Sequence, residues 1–169
     1  MTEIHDFNQS KAAGDEGEQF LDRLFEQRGN KVEPVTKQEQ RDDKIDRKIT
    51  NPNNGKTVIV EYKTDMKAKQ TGNVFVETFS NIENGTPGWI GASKAEWLVT
   101  LIPDECVLIT RLSKIRECYA TKWVGYNHKS VPNRVGNNIY HTIGFPVPIE
   151  KYITESGATK IDIAQKDAA

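Results

Sequence analysis

The chain has 169 residues, 36% of them hydrophobic and 28% charged, with 23 Lys and Arg set against 24 Asp and Glu. That length suits one domain around one core, and a mean hydropathy of −0.65, with no apolar run near the roughly 20 residues of a membrane span, argues against a transmembrane helix. A net charge of −1 argues against a broad electrostatic coat on nucleic acid, but not against an acidic site where a metal ion supplies the positive charge.

Residues 1–9 are polar, lack the basic and apolar stretches of a signal peptide, and read as a loosely held lead into a domain spanning 10–153. Between Ser10 and Arg28 the apolar positions Ala13, Gly17, Phe20, Leu21, Leu24 and Phe25 recur at the spacing of one helix face. Gly29-Asn30 supplies a left-handed stop. Glu18 falls at the margin of that face, beside Leu21 and Phe25, while Asp15, Asp22 and Glu26 point further out. Residues 31–44 read as a short connecting strand and loop, and Ile45–Thr50 as a strand. The run Asn51-Pro52-Asn53-Asn54-Gly55 is dense turn chemistry. Lys56–Lys63, rich in β-branched residues, is the strongest strand signal, and it makes a hairpin with the strand before it.

Further along, Val74–Phe79 reads as a third strand, and Ser93 as the cap of a short helical turn leading into Trp97–Ile102. A strand over Val107–Thr110 and a helix over Lys114–Tyr119, capped by Ser113, follow. Residues 121–138 look like a long Asn-rich loop, Asn138–Ile149 returns to strand character, and 154–169 reads as a tail. Cys106 and Cys118 form no framework, so reduced thiols in a cytoplasmic setting are expected. The order of elements implies an α/β or α+β fold with a mixed β-sheet flanked by helices.

The informative stretch is Asp46 to Lys63. Residues two apart on a strand share a face, so Glu61 and Lys63 project together, while Val60 and Tyr62 project to the other side. The hairpin turn folds Asp46 back beside Glu61. Two carboxylates and an ammonium then converge at one end of the hairpin. Mg²⁺ is a hard ion that one or two carboxylates hold, with water and substrate phosphate completing its shell. Bound metal lowers the pKa of water and neutralises charge on phosphoryl oxygens, and a lysine steadies the phosphate or the attacking water. A Glu-x-Lys alone is common on solvated sheets. The apolar density of Thr57–Val60 argues instead for a central strand, where such charges are costly without a purpose.

These motifs resemble those of the PD-(D/E)XK nuclease superfamily. Gly14-Asp15-Glu16-Gly17-Glu18 is similar to its first-helix Glu motif, Ile45-Asp46 to its Asp after a short strand, and Glu61-Tyr62-Lys63 to its E-x-K. Thr71–Glu77, Pro87-Gly88-Trp89-Ile90 with Ser93–Trp97, and Val147-Pro148-Ile149 resemble phage-type members. No Pro precedes Asp46, which departs from the family's name-giving dipeptide. The resemblance covers about residues 10–152. It implies a restriction-endonuclease-like core and a metal-dependent endonuclease acting on DNA in a cytoplasm, including that of a phage host. Mg²⁺ is the implied ion, with Mn²⁺ as a substitute, and a homodimer is one implied assembly. Asp46 and Glu61 would hold the metal, Lys63 would position water or phosphate, and Glu18 would orient the outer shell or a second ion.

Asp43 is the alternative to Asp46, although it sits in a polar run rather than a strand pattern. Glu77 shares a strand face with Phe75 and Phe79 and reads equally as a residue behind the metal, a ligand, or an edge-of-core carboxylate paired with a lysine. Lys67, Lys69 and Lys94 are candidate phosphate contacts. Trp89 could stack on a base, though core packing is favoured. His128, Lys129 and Arg134 fall in the expected long loop. Gly55-Lys56-Thr57 resembles the end of a phosphate-binding loop, but Thr50 stands where a glycine is required. The histidines have no zinc spacing. A catalytically silent DNA-binding module, a branched-DNA resolvase and a structural or assembly protein are the alternative functions.

Overall fold

The computed structural model describes residues 5–163; the expectations for residues 1–4 and 164–169 lie outside them. In chain order the elements are β1 (His5–Asp6), α1 (Phe7–Gln27), β2 (Lys31–Pro34), α2 (Lys37–Asp42), β3 (Arg47–Asn51), β4 (Lys56–Thr64), α3 (Ala68–Thr71), β5 (Asn73–Asn81), β6 (Thr86–Pro87), α4 (Trp89–Ala92), β7 (Trp97–Ile102), β8 (Cys106–Arg111), α5 (Leu112–Thr121), β9 (Lys129–Val135), β10 (Asn138–Pro148), α6 (Ile149–Ser156) and β11 (Thr159–Asp162).

The first helix begins earlier than its apolar spacing predicts. Asp6 caps it, accepting from the Asn8 and Gln9 backbone N–H groups, and satisfied amides at a helix start extend it by the turn they complete. Its end is where Gly29 turns left-handed, at φ 84°. The hairpin also forms as expected: β3 and β4 pair antiparallel, Arg47 opposite Val60, around a turn that uses Gly55 at φ 67°.

Two sheets result, not one. The six-stranded sheet runs β11-β8-β7-β4-β3-β2, and it is mixed because β4 and β7 pair in parallel, Glu61 beside Leu98 and Lys63 beside Thr100. β4 is therefore interior, as its β-branched density implies. The expected third strand, β5, instead joins a five-stranded sheet of order β1-β9-β10-β5-β6. The fold is thus mixed α/β with helices flanking a mixed sheet.

One face of the larger sheet lies under α1: Leu21 packs with Val60, Tyr62, Val99 and Leu101, and Phe25 stacks on Tyr62. Burial of each such side chain contributes about 1.5–3 kcal/mol. Gly17 permits the close approach, because a Cβ there would lie 2.0 Å from Thr64 Oγ1. The opposite face shares a larger core with Val74, Val76, Phe145 and Val147 of the second sheet and with α4, α5 and α6.

Three expectations are corrected. Residues 121–138 are not a long loop, because Lys129–Val135 pairs antiparallel with β10 and parallel with β1. Residues 5–9 and 154–162 are not loose ends: β1 pairs with β9, α6 buries Tyr152, and β11 pairs with β8. Backbone pairing across sheets orders polar segments that apolar periodicity does not mark. Ser93 and Ser113 do not cap helices. Ser93 follows α4, donating to the Lys44 carbonyl at 2.6 Å, and α5 starts at Leu112 without a side-chain cap.

Candidate active site

Asp46 stands immediately before β3, with 7% of its surface exposed. Its backbone N–H donates to the Val60 carbonyl at 2.9 Å, which continues the hairpin ladder past the strand's formal start. Its side chain is held from two directions. The Tyr62 N–H donates to Oδ2 at 2.7 Å, and Gln40 Nε2, on α2, donates to Oδ1 at 3.2 Å. The turn that delivers Asp46 is pinned as well, since Lys44 adopts a left-handed φ of 51° and its carbonyl accepts from Ser93.

Glu61 and Lys63 do share a face of β4. Lys63 Nζ lies 2.7 Å from Glu61 Oε1, and the Lys63 side chain remains 39% exposed. Glu61 is 4% exposed, and its Oε2 is buried without a hydrogen-bond partner. Burial pushes its carboxyl up to about 7; Lys63 opposes that rise, and the charges of Asp46 and Glu77 add to it. For Lys63, desolvation pulls downward, but Glu61, Glu77 and Asp46 outweigh it and hold the ammonium above the usual lysine range.

Glu77 joins this neighbourhood from β5, in the other sheet. Burial raises its carboxyl, against the pull of Lys63, the Trp89 backbone N–H and Lys44. Its strand face is not core. Val74 and Val76 turn into the core, leaving Phe75 and Glu77 on a cleft of about 500 Å³ that Lys63 also lines.

Glu18 lies apart, on the α1 side of the sheet. It pairs with Arg47 at 3.0 Å, and burial followed by the charge of Asp46 raises its carboxyl against Arg47. Arg47, which sequence reasoning passed over, also grips Asp22 through Nε and Nη2 at 3.0–3.1 Å and donates to the Asp46 carbonyl at 2.8 Å. Its signal was the Glu18/Asp22 pair, four apart on one helix stripe. Gln40 was missed because residues 31–44 read as loop, although Thr36-x-x-Glu39 is a capping box, and one forms here.

Asp43 and Lys94 form an ion pair with one another at 2.5 Å. Trp89 is only 5% exposed and packs in the larger core, with an edge on the cleft that Lys63 lines. Lys67 borders the cleft and Lys69 is exposed on α3. His128 packs edge-on against Phe145.

Among the described residues, no group of three or more His, Cys, Asp or Glu side chains is arranged to hold a metal ion. The two-carboxylate set of Asp46 and Glu61 nevertheless suits a divalent ion that takes its remaining ligands from water and phosphate. The orphaned Glu61 Oε2 is a buried acceptor that such an ion would satisfy. No described helix is long and apolar enough to cross a membrane. Comparison of the chain with protein-family models, with curated proteins and with solved structures finds no match.

Proposed function

We propose that the chain is a divalent-metal-dependent endonuclease of the PD-(D/E)XK superfamily, hydrolysing phosphodiester bonds in DNA. The observation that carries this reading is Glu61 Oε2, buried without a hydrogen-bond partner on a carboxylate whose other oxygen pairs with Lys63, a residue that also lines a cleft. The backbone order supports it too. The helix α1, the antiparallel β2–β3–β4 meander and the parallel β7 follow the course expected of a restriction-endonuclease-like core.

Asp46 and Glu61 would hold the ion, with Mg²⁺ the natural choice and Mn²⁺ a substitute. When bound, it would supply positive charge for the phosphoryl oxygens and a lowered pKa for water. Lys63, kept protonated by its acidic neighbours, holds the substrate phosphate at the cleft edge or orients the attacking water. Gln40 and the Tyr62 N–H fix the orientation of Asp46. Glu18 acts at a distance: with Arg47 and Asp22 it steadies the backbone carrying Asp46.

Purified protein incubated with supercoiled and linear DNA should cut in Mg²⁺ and not in excess EDTA. Mg²⁺ should also raise the melting temperature. Cleavage that persists in EDTA, or in Asp46→Asn, would overturn the mechanism. Binding without cleavage under every divalent ion would leave a catalytically silent DNA-binding module.

A further inference from the structure

The cleft beside the cluster is built from both sheets and the start of α1, and Lys63 belongs to cleft and cluster alike. Its volume of about 500 Å³ falls within the roughly 300–1,000 Å³ of pockets that enclose small ligands. The lining has three kinds of chemistry. Phe75 and Met66 give an apolar wall, and Gly144 seats the Phe75 ring, since a Cβ there would lie 2.6 Å from ring carbons. Asn133 spends its amide donors on the Val131 carbonyl at 3.1 Å and Thr142 Oγ1 at 2.9 Å, leaving Oδ1 as an acceptor with no protein partner among the described residues. Lys129, with no ion pair among the described residues, adds positive charge to that of Lys63.

The acidic lining residues already have partners within the protein. Asp65 is occupied by the backbone N–H groups of Lys67, Ala68 and Phe75, and Glu77 is faced by Lys63 and Lys44. An apolar wall, a fixed acceptor and cations at the mouth match a single nucleotide, which has flat apolar faces, polar base edges and an anionic backbone. A base stacked and paired within a duplex cannot enter such a recess, and extrusion is easiest where the base is already unpaired.

We infer that the cleft receives one unpaired nucleotide next to the phosphate held at Lys63, so the preferred substrate is DNA with a single-stranded, bulged or flapped segment rather than uninterrupted duplex. This rests on the nuclease reading and specifies its substrate. Oligonucleotides of one sequence, offered as uninterrupted duplex, bulged duplex and single strand, test it by binding in Ca²⁺ and cleavage in Mg²⁺. The forms with unpaired nucleotides should be bound and cut at least about 10-fold better.

Removing one base at a time from the single strand should then cost about 10-fold at one position flanking the cut and little elsewhere. Ala13→Phe, which fills the cleft from α1, should cost a similar factor and abolish sensitivity to the missing base. Equal cleavage of uninterrupted duplex, or a flat response to base removal, would overturn the inference while the nuclease reading stands. A folded Ala13→Phe that keeps full sensitivity would overturn it too; should that variant not fold, the base-removal series decides alone. Failure to bind or cut any of these DNAs would overturn both.

Discussion

Glu61→Gln separates the cost of a buried charge from the role proposed for it. The carboxyl rises from an ordinary 4.5 to about 7, chiefly through burial. At about 1.4 kcal/mol per tenfold change in proton affinity, that difference corresponds to about 3 kcal/mol. The native state keeps a proton that the unfolded chain releases, so this group's contribution to stability falls as pH rises from about 4.5 to about 7, and stays low above. Glutamine is neutral and lacks that slope. Urea unfolding of both proteins between about pH 5 and about pH 8 should show the variant's advantage widening by about 2–3 kcal/mol, or roughly 1–2 M in midpoint. Mg²⁺ at about 100 times its Kd should then add about 2.7 kcal/mol to the parent protein and almost nothing to the variant. A stability gap that does not change with pH would refute the buried-charge argument. An equal response to Mg²⁺ would remove Glu61 from the metal site.

Lys63→Met should lower kcat by about 100-fold or more, because its proposed task is to stabilise phosphoryl charge, and should also lower the melting temperature by leaving the buried Glu61 without its cation; single-turnover cleavage and calorimetry check this. Arg47→Met leaves Glu18 and Asp22 without their shared cation and should destabilise by about 3 kcal/mol, with Arg47→Met/Asp22→Asn recovering part of the loss in urea unfolding. Gly17→Ala forces its new methyl onto Thr64 and should cost about 1–3 kcal/mol, a loss that Thr64→Ala largely restores.

The hairpin is the part of the site that local sequence settles. Dense turn residues around Gly55 fix the register, and the period of two puts Glu61 and Lys63 on one face; both follow from interactions within about twenty residues. The α1 stripe is legible for the same reason, its apolar positions marking the face that meets β4. Asp43 shows where local reading runs out. It lies three residues from Asp46, and its ion pair with Lys94, fifty-one residues further on, is a tertiary contact that no local pattern marks.

Glu77 and the cleft depend on contacts between distant segments. Nothing near Glu77 indicates that β5 leaves the first sheet, and the strand that completes the opposite wall, β9, is polar and contains Pro132, so it reads as loop until β10 and β1 pair with it. By itself, then, the sequence determined that Glu61 and Lys63 share one face of a hairpin strand to which Asp46 returns, the set on which the proposed chemistry rests. Only the tertiary structure decided what surrounds them, because desolvation of Glu61, the Arg47 clamp and the recess beside Lys63 arise where elements far apart in sequence pack together.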